Sequence, residues 1–212
     1  MNVTRVRHSL AVLGLALFAG GCTVGEGEGW VRSERLYVED CWNGAFDLDP
    51  DFFGANPYRG ESLLIRIQRG DNIEEQSDGL TVLVNDIQEL RKNLNTPVNV
   101  GLPVGVSPPG VPVTPVTDAP KVSLSVYLHN SCHVQNAVVY SMSGTITFQS
   151  LFSGDPNEDD AEQRLTEASF EASFADPRRV AANAEPDPEA TSVVRGYFRF
   201  YFQRGQPAQP FP

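Results

Sequence analysis

The sequence predicts an all-β fold, a sandwich or partly open barrel of at least six strands with long Pro-rich loops. Three observations predict it. Four stretches alternate apolar with polar residues at a period of two, as half-buried strands do. Prolines gather between such stretches, where they sustain neither a ladder nor a helix. The one segment with helical spacing is short, and no stretch of the chain repeats another.

In chain order, residues 22–30 contain a Gly/Glu tract at 25–29 that reads as a flexible tether, and a single β domain is expected over 31–204. Trp42, Phe46, Phe52, Phe53 and Tyr58 are crowded into a Gly/Asp/Pro-rich stretch that reads as loop. The first strands are expected at 63–67 and 80–84. Residues 86–94 admit two readings: Ile87, Leu90 and Leu94 fall at helical spacing behind an Asp86/Glu89 cap, or the preceding strand continues. Seven prolines over 96–120 predict a long loop or polyproline segment. Val122, Leu124, Val126 and Leu128 then mark a strand leading to Cys132. Val138, Tyr140, Met142, Gly144, Ile146 and Phe148 share one parity, which predicts a long strand bent at Gly144 with those residues on one face. Phe170, Ala172 and Phe174 mark another strand. The clearest carries Val194, Gly196, Phe198, Phe200 and Phe202, after a Pro/Asp/Ala loop at 176–190 and before an irregular tail at 205–212.

The first residues are of a different kind. Arg5 and Arg7 precede an apolar run at 10–18, and the small residues Ala19, Gly20 and Gly21 stand directly before Cys22. That is the order of a secretory signal peptide, with an apolar core too short to span a bilayer. With a cysteine after the small residues, the segment resembles the lipobox of bacterial lipoproteins, Ala19 standing where Leu is usual. The resemblance implies removal of residues 1–21, lipid on Cys22, and a chain held at a cell-envelope membrane through that lipid. Thr23 in place of Asp after the cysteine implies the outer membrane. An ordinary cleaved secretory signal is the other reading. Two short stretches, Ser-Gly-Asp-Pro-Asn-Glu-Asp-Asp at 153–160 and Arg-Phe-Tyr-Phe-Gln-Arg-Gly-Gln-Pro at 199–207, resemble small lipoproteins of myxobacterial type. That second resemblance implies no activity and carries over no functional residue.

If Cys22 carries lipid, Cys41 and Cys132 are left as an even pair in an oxidising compartment, where a disulfide is expected. In the chain-entropy account, closing so long a loop contributes about 4 to 5 kcal/mol.

The chain has 16 basic and 27 acidic residues; removing the leader takes Arg5 and Arg7, leaving 14 bases against 27 acids and a net charge of −13. Such a surface repels nucleic acid and anionic headgroups, so neither is an expected partner. An envelope protein or a glycan remains.

No catalytic constellation emerges. His8 goes with the leader, leaving His129 and His133. No Gly-x-Ser-x-Gly elbow marks a nucleophile, and no carboxylate pair is singled out by context. No cofactor is expected. Asp155, Asn157 and Asp159 alternate as calcium-loop ligands do, but Asp160 stands where the loop glycine belongs and Thr166 where the bidentate glutamate belongs, so a solvated turn is expected instead. His129, Cys132 and His133 could ligate zinc or copper, but a disulfide would withdraw the cysteine.

Two sets of residues suggest contact with a ligand or partner. Trp42, Phe52, Phe53 and Tyr58, with Phe46, form either a platform for a sugar or peptide or an aromatic cap on the core. Arg195, Tyr197, Arg199 and Tyr201 lie opposite the phenylalanines of the last strand, as either a docking stripe or a solvated face knit by cross-strand contacts. The expected function is therefore a membrane-anchored, non-catalytic lipoprotein with a structural or protein-interaction role. A glycan- or peptide-binding module is the alternative, and an enzyme the third option.

Overall fold

The alternating stretches become one antiparallel sheet that curls into a half-barrel. The computed structural model describes residues 27–58, 61–70, 77–106, 119–132, 137–176, 179 and 187–203. Its strands are β1 (Gly27–Val38), β2 (Trp42–Leu48), β3 (Phe52–Tyr58), β4 (Ser62–Gln68), β5 (Asp78–Val84), β6 (Val98–Asn99), β7 (Val122–Leu128), β8 (Val138–Ser150), β9 (Leu165–Ala175) and β10 (Thr191–Tyr201). Across the sheet they run β2-β1-β10-β9-β8-β7-β5-β4-β3, with β6 attached to β8.

Period-two patterning fills the inner face. Leu63, Ile65 and Ile67 of β4, Leu80, Val82 and Val84 of β5, and Val122, Leu124, Val126 and Leu128 of β7 are all buried. They face Phe170 and Phe174 of β9 and Val194, Phe198 and Phe200 of β10 in one apolar cluster. Burial of each such side chain is worth about 1.5 to 3 kcal/mol. The outermost strands β2 and β3 are consecutive in sequence yet do not pair with each other. Their ends of the sheet meet through side chains: Phe53 stacks on Phe200 with centroids 6.0 Å apart, and Arg69 Nη2 donates to the Asp47 carbonyl at 3.0 Å.

Four findings differ from, or decide between, the sequence expectations. Residues 27–30, expected as tether, and 42–58, expected as loop, lie largely in the three strands β1, β2 and β3. Alternation fails to reveal β1 because a bulge between Ser33 and Leu36 breaks its parity. Gly27, expected to be flexible, sits where a Cβ would lie 2.7 Å from the Phe53 ring, so close approach requires a glycine. Residues 86–94 resolve in favour of a helix: α1 (Ile87–Lys92) starts where Asp86 Oδ1 accepts the Glu89 N–H at 2.9 Å, and it buries Ile87 and Leu90.

The Pro-rich segment is the third. Its described part is not all loop, because β7 and β8 pair only at Ser125/Tyr140, Val126/Val139 and Tyr127/Val138 and then splay apart. β6 and Val100 wedge into the split, with Val98 opposite Ile146 and Val100 bridging Val122 in parallel. Ser141, fully buried, completes the seam: its Oγ accepts the Leu124 N–H at 2.9 Å and donates to the Gly101 carbonyl at 2.9 Å. A hydroxyl here replaces the missing ladder partner.

The fourth concerns β8, a single long strand as expected but without the shared face. A bulge between Ser141 and Ser143 switches its parity, so Val139 and Ser141 point inward before it and Ile146 and Phe148 after it. Val138 and Tyr140 are therefore on the outer face. Gly144 lies just past the bulge at φ +127, where a Cβ would meet Ala172 Cα and the Glu171 carbonyl at 2.4 Å.

Gly144→Ala adds both a disfavoured backbone conformation and a clash with backbone that cannot rotate away. Urea denaturation should show a loss of about 3 kcal/mol.

Candidate functional site

The residues singled out by sequence go to different places. Phe46, Phe52 and Phe53 are all buried, at 6%, 5% and 3% exposure. Phe46 and Phe53 belong to the core, so these rings form no exposed platform, because the strands that carry them turn them inward or cover them. Trp42 is half-buried against that core, edge-on to Phe46 at 6.4 Å, with Nε1 donating to the Gly44 carbonyl at 3.3 Å. Of Tyr58 the backbone is described, paired with Ser62; its side chain lies outside the described residues, as do Cys22 and His133.

Arg195, Tyr197, Arg199 and Tyr201 do line the outer face of β10, but their guanidinium groups are engaged within the sheet. Across four strands one row reads Asp47, Arg32, Arg195, Glu171. The two arginines stand opposite each other, and each is relieved by an acid: Arg32 pairs with Asp47 at 2.9 Å and Arg195 with Glu171 at 2.8 Å. The Arg195 hydrogen bond holds the Glu171 carboxyl below its ordinary pKa. Two rows on, Arg199 lies between Glu167 at 3.5 Å and Glu28 at 4.0 Å, with Tyr201 beneath it at 5.8 Å. Tyr197 Oη donates to Glu167 at 3.2 Å. This geometry is that of a solvated, cross-strand-knit face.

In the acidic loop the oxygens serve the turn. Asp155 Oδ1 accepts the Asn157 N–H at 2.8 Å, and Asp160 Oδ1 accepts the Glu162 N–H at 2.9 Å to start the short helix α2 (Ala161–Arg164). Among the described residues no three His, Cys, Asp or Glu side chains gather as a metal-ligand set.

Cys41 and Cys132 come to disulfide distance, their Cα atoms 5.6 Å apart. Cys41 ends the β1–β2 turn; Cys132 ends the turn after β7, built on Asp78. That buried carboxylate accepts the Asn130 and Ser131 N–H groups, each at 3.0 Å, and the Ser131 hydroxyl. Asp78 thus places both Cys132 and His129.

His129 opens onto a feature that alternation did not reveal. On the outer face of β4, β5, β7 and the start of β8 lies a groove of about 320 Å³. Leu64, Leu83 and Val138 give it apolar walls, and Pro103, just beyond the β6 wedge, stands at its rim. Tyr127 forms the floor. Its ring crosses β5 because Gly79 leaves the space; a Cβ there would meet Tyr127 Oη at 2.3 Å. Arg66 Nε donates to Tyr127 Oη at 2.9 Å with its guanidinium 5.4 Å from the ring centroid, and Tyr127 Oη donates to Gln68 Oε1 at 3.4 Å. His129 packs on Tyr127 with centroids 5.0 Å apart.

Burial raises the Tyr127 hydroxyl's pKa against the opposing pull of Arg66, so it stays a neutral donor. Burial lowers that of His129, Arg66 lowers it further, and Asp78 opposes both. Two buried polar atoms here have no hydrogen-bond partner, Gln68 Nε2 and Ser123 Oγ. Compared with protein-family models, with curated proteins and with solved structures, the chain finds no match in any of the three.

Trp42→Ala should lower stability by about 2 to 3 kcal/mol in urea denaturation, as a ring packed on the core requires; a ligand platform would leave stability unchanged. His129 gives a pH signature. Because its folded pKa lies below the ordinary 6.5, the unfolded chain takes up the proton first, and stability falls as pH drops from about 6.5 toward the lowered value. His129→Gln should remove that component, flattening the wild-type decline between pH 7 and 5 while leaving the two proteins parallel above pH 7.

Proposed function

We propose that the chain is an exported lipoprotein, held at a cell-envelope membrane, the outer one where two exist, through lipid on Cys22. Its half-barrel serves a non-catalytic structural or protein-interaction role. The observation that carries this reading is the Cys41–Cys132 pair at disulfide distance across the fold, which suits an oxidising compartment and agrees with the leader's order of charge, apolar run, small residues and cysteine. Among the described residues no helix is long and apolar enough to cross a membrane. Burial of Phe52 and Phe53 takes those two rings out of the glycan- or peptide-platform alternative.

Expression of the full chain and of Cys22→Ala in a bacterium, followed by envelope fractionation and intact mass, tests the reading. The expected result is a mature protein beginning at acylated Cys22 in the membrane fraction, a Cys22→Ala protein that is unprocessed or released, and a gain of two hydrogen atoms in mass on reduction. An unmodified N-terminus in the soluble fraction would overturn the anchor.

A further inference from the structure

We propose that the outer groove over β4, β5, β7 and β8 binds a small neutral amphiphile, an apolar ring with a short chain ending in one hydroxyl or carbonyl, which Ser123 hydrogen-bonds. The inference goes beyond the anchored-lipoprotein reading and does not rest on it.

Ser123 is the residue that carries it. Among the described residues four strand serines are buried, and three of them, Ser33, Ser141 and Ser192, hydrogen-bond backbone groups. Ser123 does not. It lines the groove at 2% exposure, and its Oγ has no hydrogen-bond partner. Its position beside the β7–β8 split explains why: the Leu124 N–H is taken by Ser141 Oγ and the Val122 carbonyl by the Gly101 N–H, so neither neighbour needs its hydroxyl. A buried hydroxyl left unpaired costs stability, and a ligand oxygen supplies the missing partner.

The register sets the shape of the ligand. At one end of the groove Leu64, Leu83 and Ser123 stand in a row across β4, β5 and β7. At the other, Tyr127 and Val138 stand opposite each other on β7 and β8. Four residues of strand separate Ser123 from Tyr127, roughly 13 Å, a span suited to a ring with a short chain. The volume, about 320 Å³, falls at the small end of the range in which pockets hold organic ligands. The leucines, Val138 and the Tyr127 ring take the apolar body, with Thr81 and Ser125 in the row between.

The polar end is neutral for reasons of solvation. An ionic group brought to so buried a hydroxyl would lose its water and gain one uncharged partner. No carboxylate is among the described lining residues. Arg66 is committed to Tyr127 and to a further contact, so its charge is not asked to bind. Burial, with Arg66 adding to it, lowers the His129 pKa and leaves the imidazole uncharged at neutral pH.

Three probes with one body and different ends test this: 3-phenylpropanol, 3-phenylpropionate and 3-phenylpropylamine, titrated calorimetrically into the full chain at neutral pH and 150 mM salt, which screens the overall negative field. The alcohol should bind with a Kd of roughly 0.1 to 1 mM. Each charged probe should bind about tenfold more weakly or not at all. Ser123→Ala should weaken alcohol binding about fivefold at an unchanged or raised Tm, a combination that a purely structural hydroxyl would not give. Leu83→Trp should fill the groove and remove alcohol binding while thermal melting confirms a folded protein. Tightest binding of the carboxylate or the amine would overturn the proposal. So would alcohol affinity unchanged in Ser123→Ala, the result expected if the hydroxyl's partner is an ordered water. Binding that survives Leu83→Trp in a folded protein, or no heat with the alcohol up to 10 mM, would also overturn it.

Discussion

The fold depends on the corner in β8. This strand belongs to both halves of the sheet: its first residues pair with β7, and nearly its whole length pairs with β9. For an antiparallel sheet to wrap round a core, some strand must turn its inward side chains through the bend, and a bulge does this by inserting one residue. Between Ser141 and Ser143 the inward parity switches from odd to even numbers. Gly144 follows because the bend presses β8 onto the Ala172 backbone, leaving no room for a side chain. Without that switch, Val139 and Phe148 could not both reach the interior. The phenylalanines of β9 and β10 would then lose the facing layer formed by β4, β5 and β7.

The same corner opens the sheet and creates polar obligations. Where β7 and β8 splay, backbone groups lose ladder partners, and an unpaired buried N–H or C=O is costly. Two answers recur in this molecule. A piece of chain is inserted, as β6 and Val100 are, or a serine hydroxyl takes the role of a backbone group. Ser141 does so at the β7 split. Ser33 and Ser192 do so where β1 leaves β10 at its own bulge, Ser33 Oγ donating to the Val193 carbonyl and Ser192 Oγ accepting the Tyr37 N–H, both at 2.8 Å. Ser33, Ser141 and Ser192 therefore mark breaks in the ladder.

That pattern explains how much of the structure was legible in the sequence. Strands β4, β5, β7, β9 and β10 were readable because each keeps one parity between its ends, and β10 buries Val194, Phe198 and Phe200 in step. β1 was not, since its bulge leaves Val31 and Leu36 out of phase, and β2 presents too few inward residues to show a period. In β8 the run of shared parity was real as a sequence pattern but misassigned the outer residues, because parity alone cannot register an inserted residue. The same blindness hid the groove. Shared parity sets Tyr140 and Val138 inward, and Arg66, Thr81 and Ser123 each look like ordinary outward residues of separate strands. Their convergence is set by strand order, which local patterning does not contain. The one local signal was Gly79, a glycine interior to a strand, the mark of a close approach.

Position, finally, links the groove to the cysteine pair. The turn from His129 to Cys132 is held on one side by Asp78 at the head of β5, and on the other by Cys41 at the tip of the β1–β2 hairpin. Asp78 fixes the turn locally, since its carboxylate gathers backbone donors the turn would otherwise leave unpaired. The Cys41 contact fixes the turn globally, because it ties the β1–β2 hairpin to β7, with β10, β9 and β8 between them in the curled sheet. One end carries β1 and β2; the other carries β4, β5 and the Tyr127–Arg66 pair. The β2 and β3 edges make no ladder with each other, and this tie, the Phe53–Phe200 stack and the Arg69–Asp47 hydrogen bond bridge the seam. The His129 end of the groove thus sits on the same four-residue turn that Asp78 and the Cys41 contact hold.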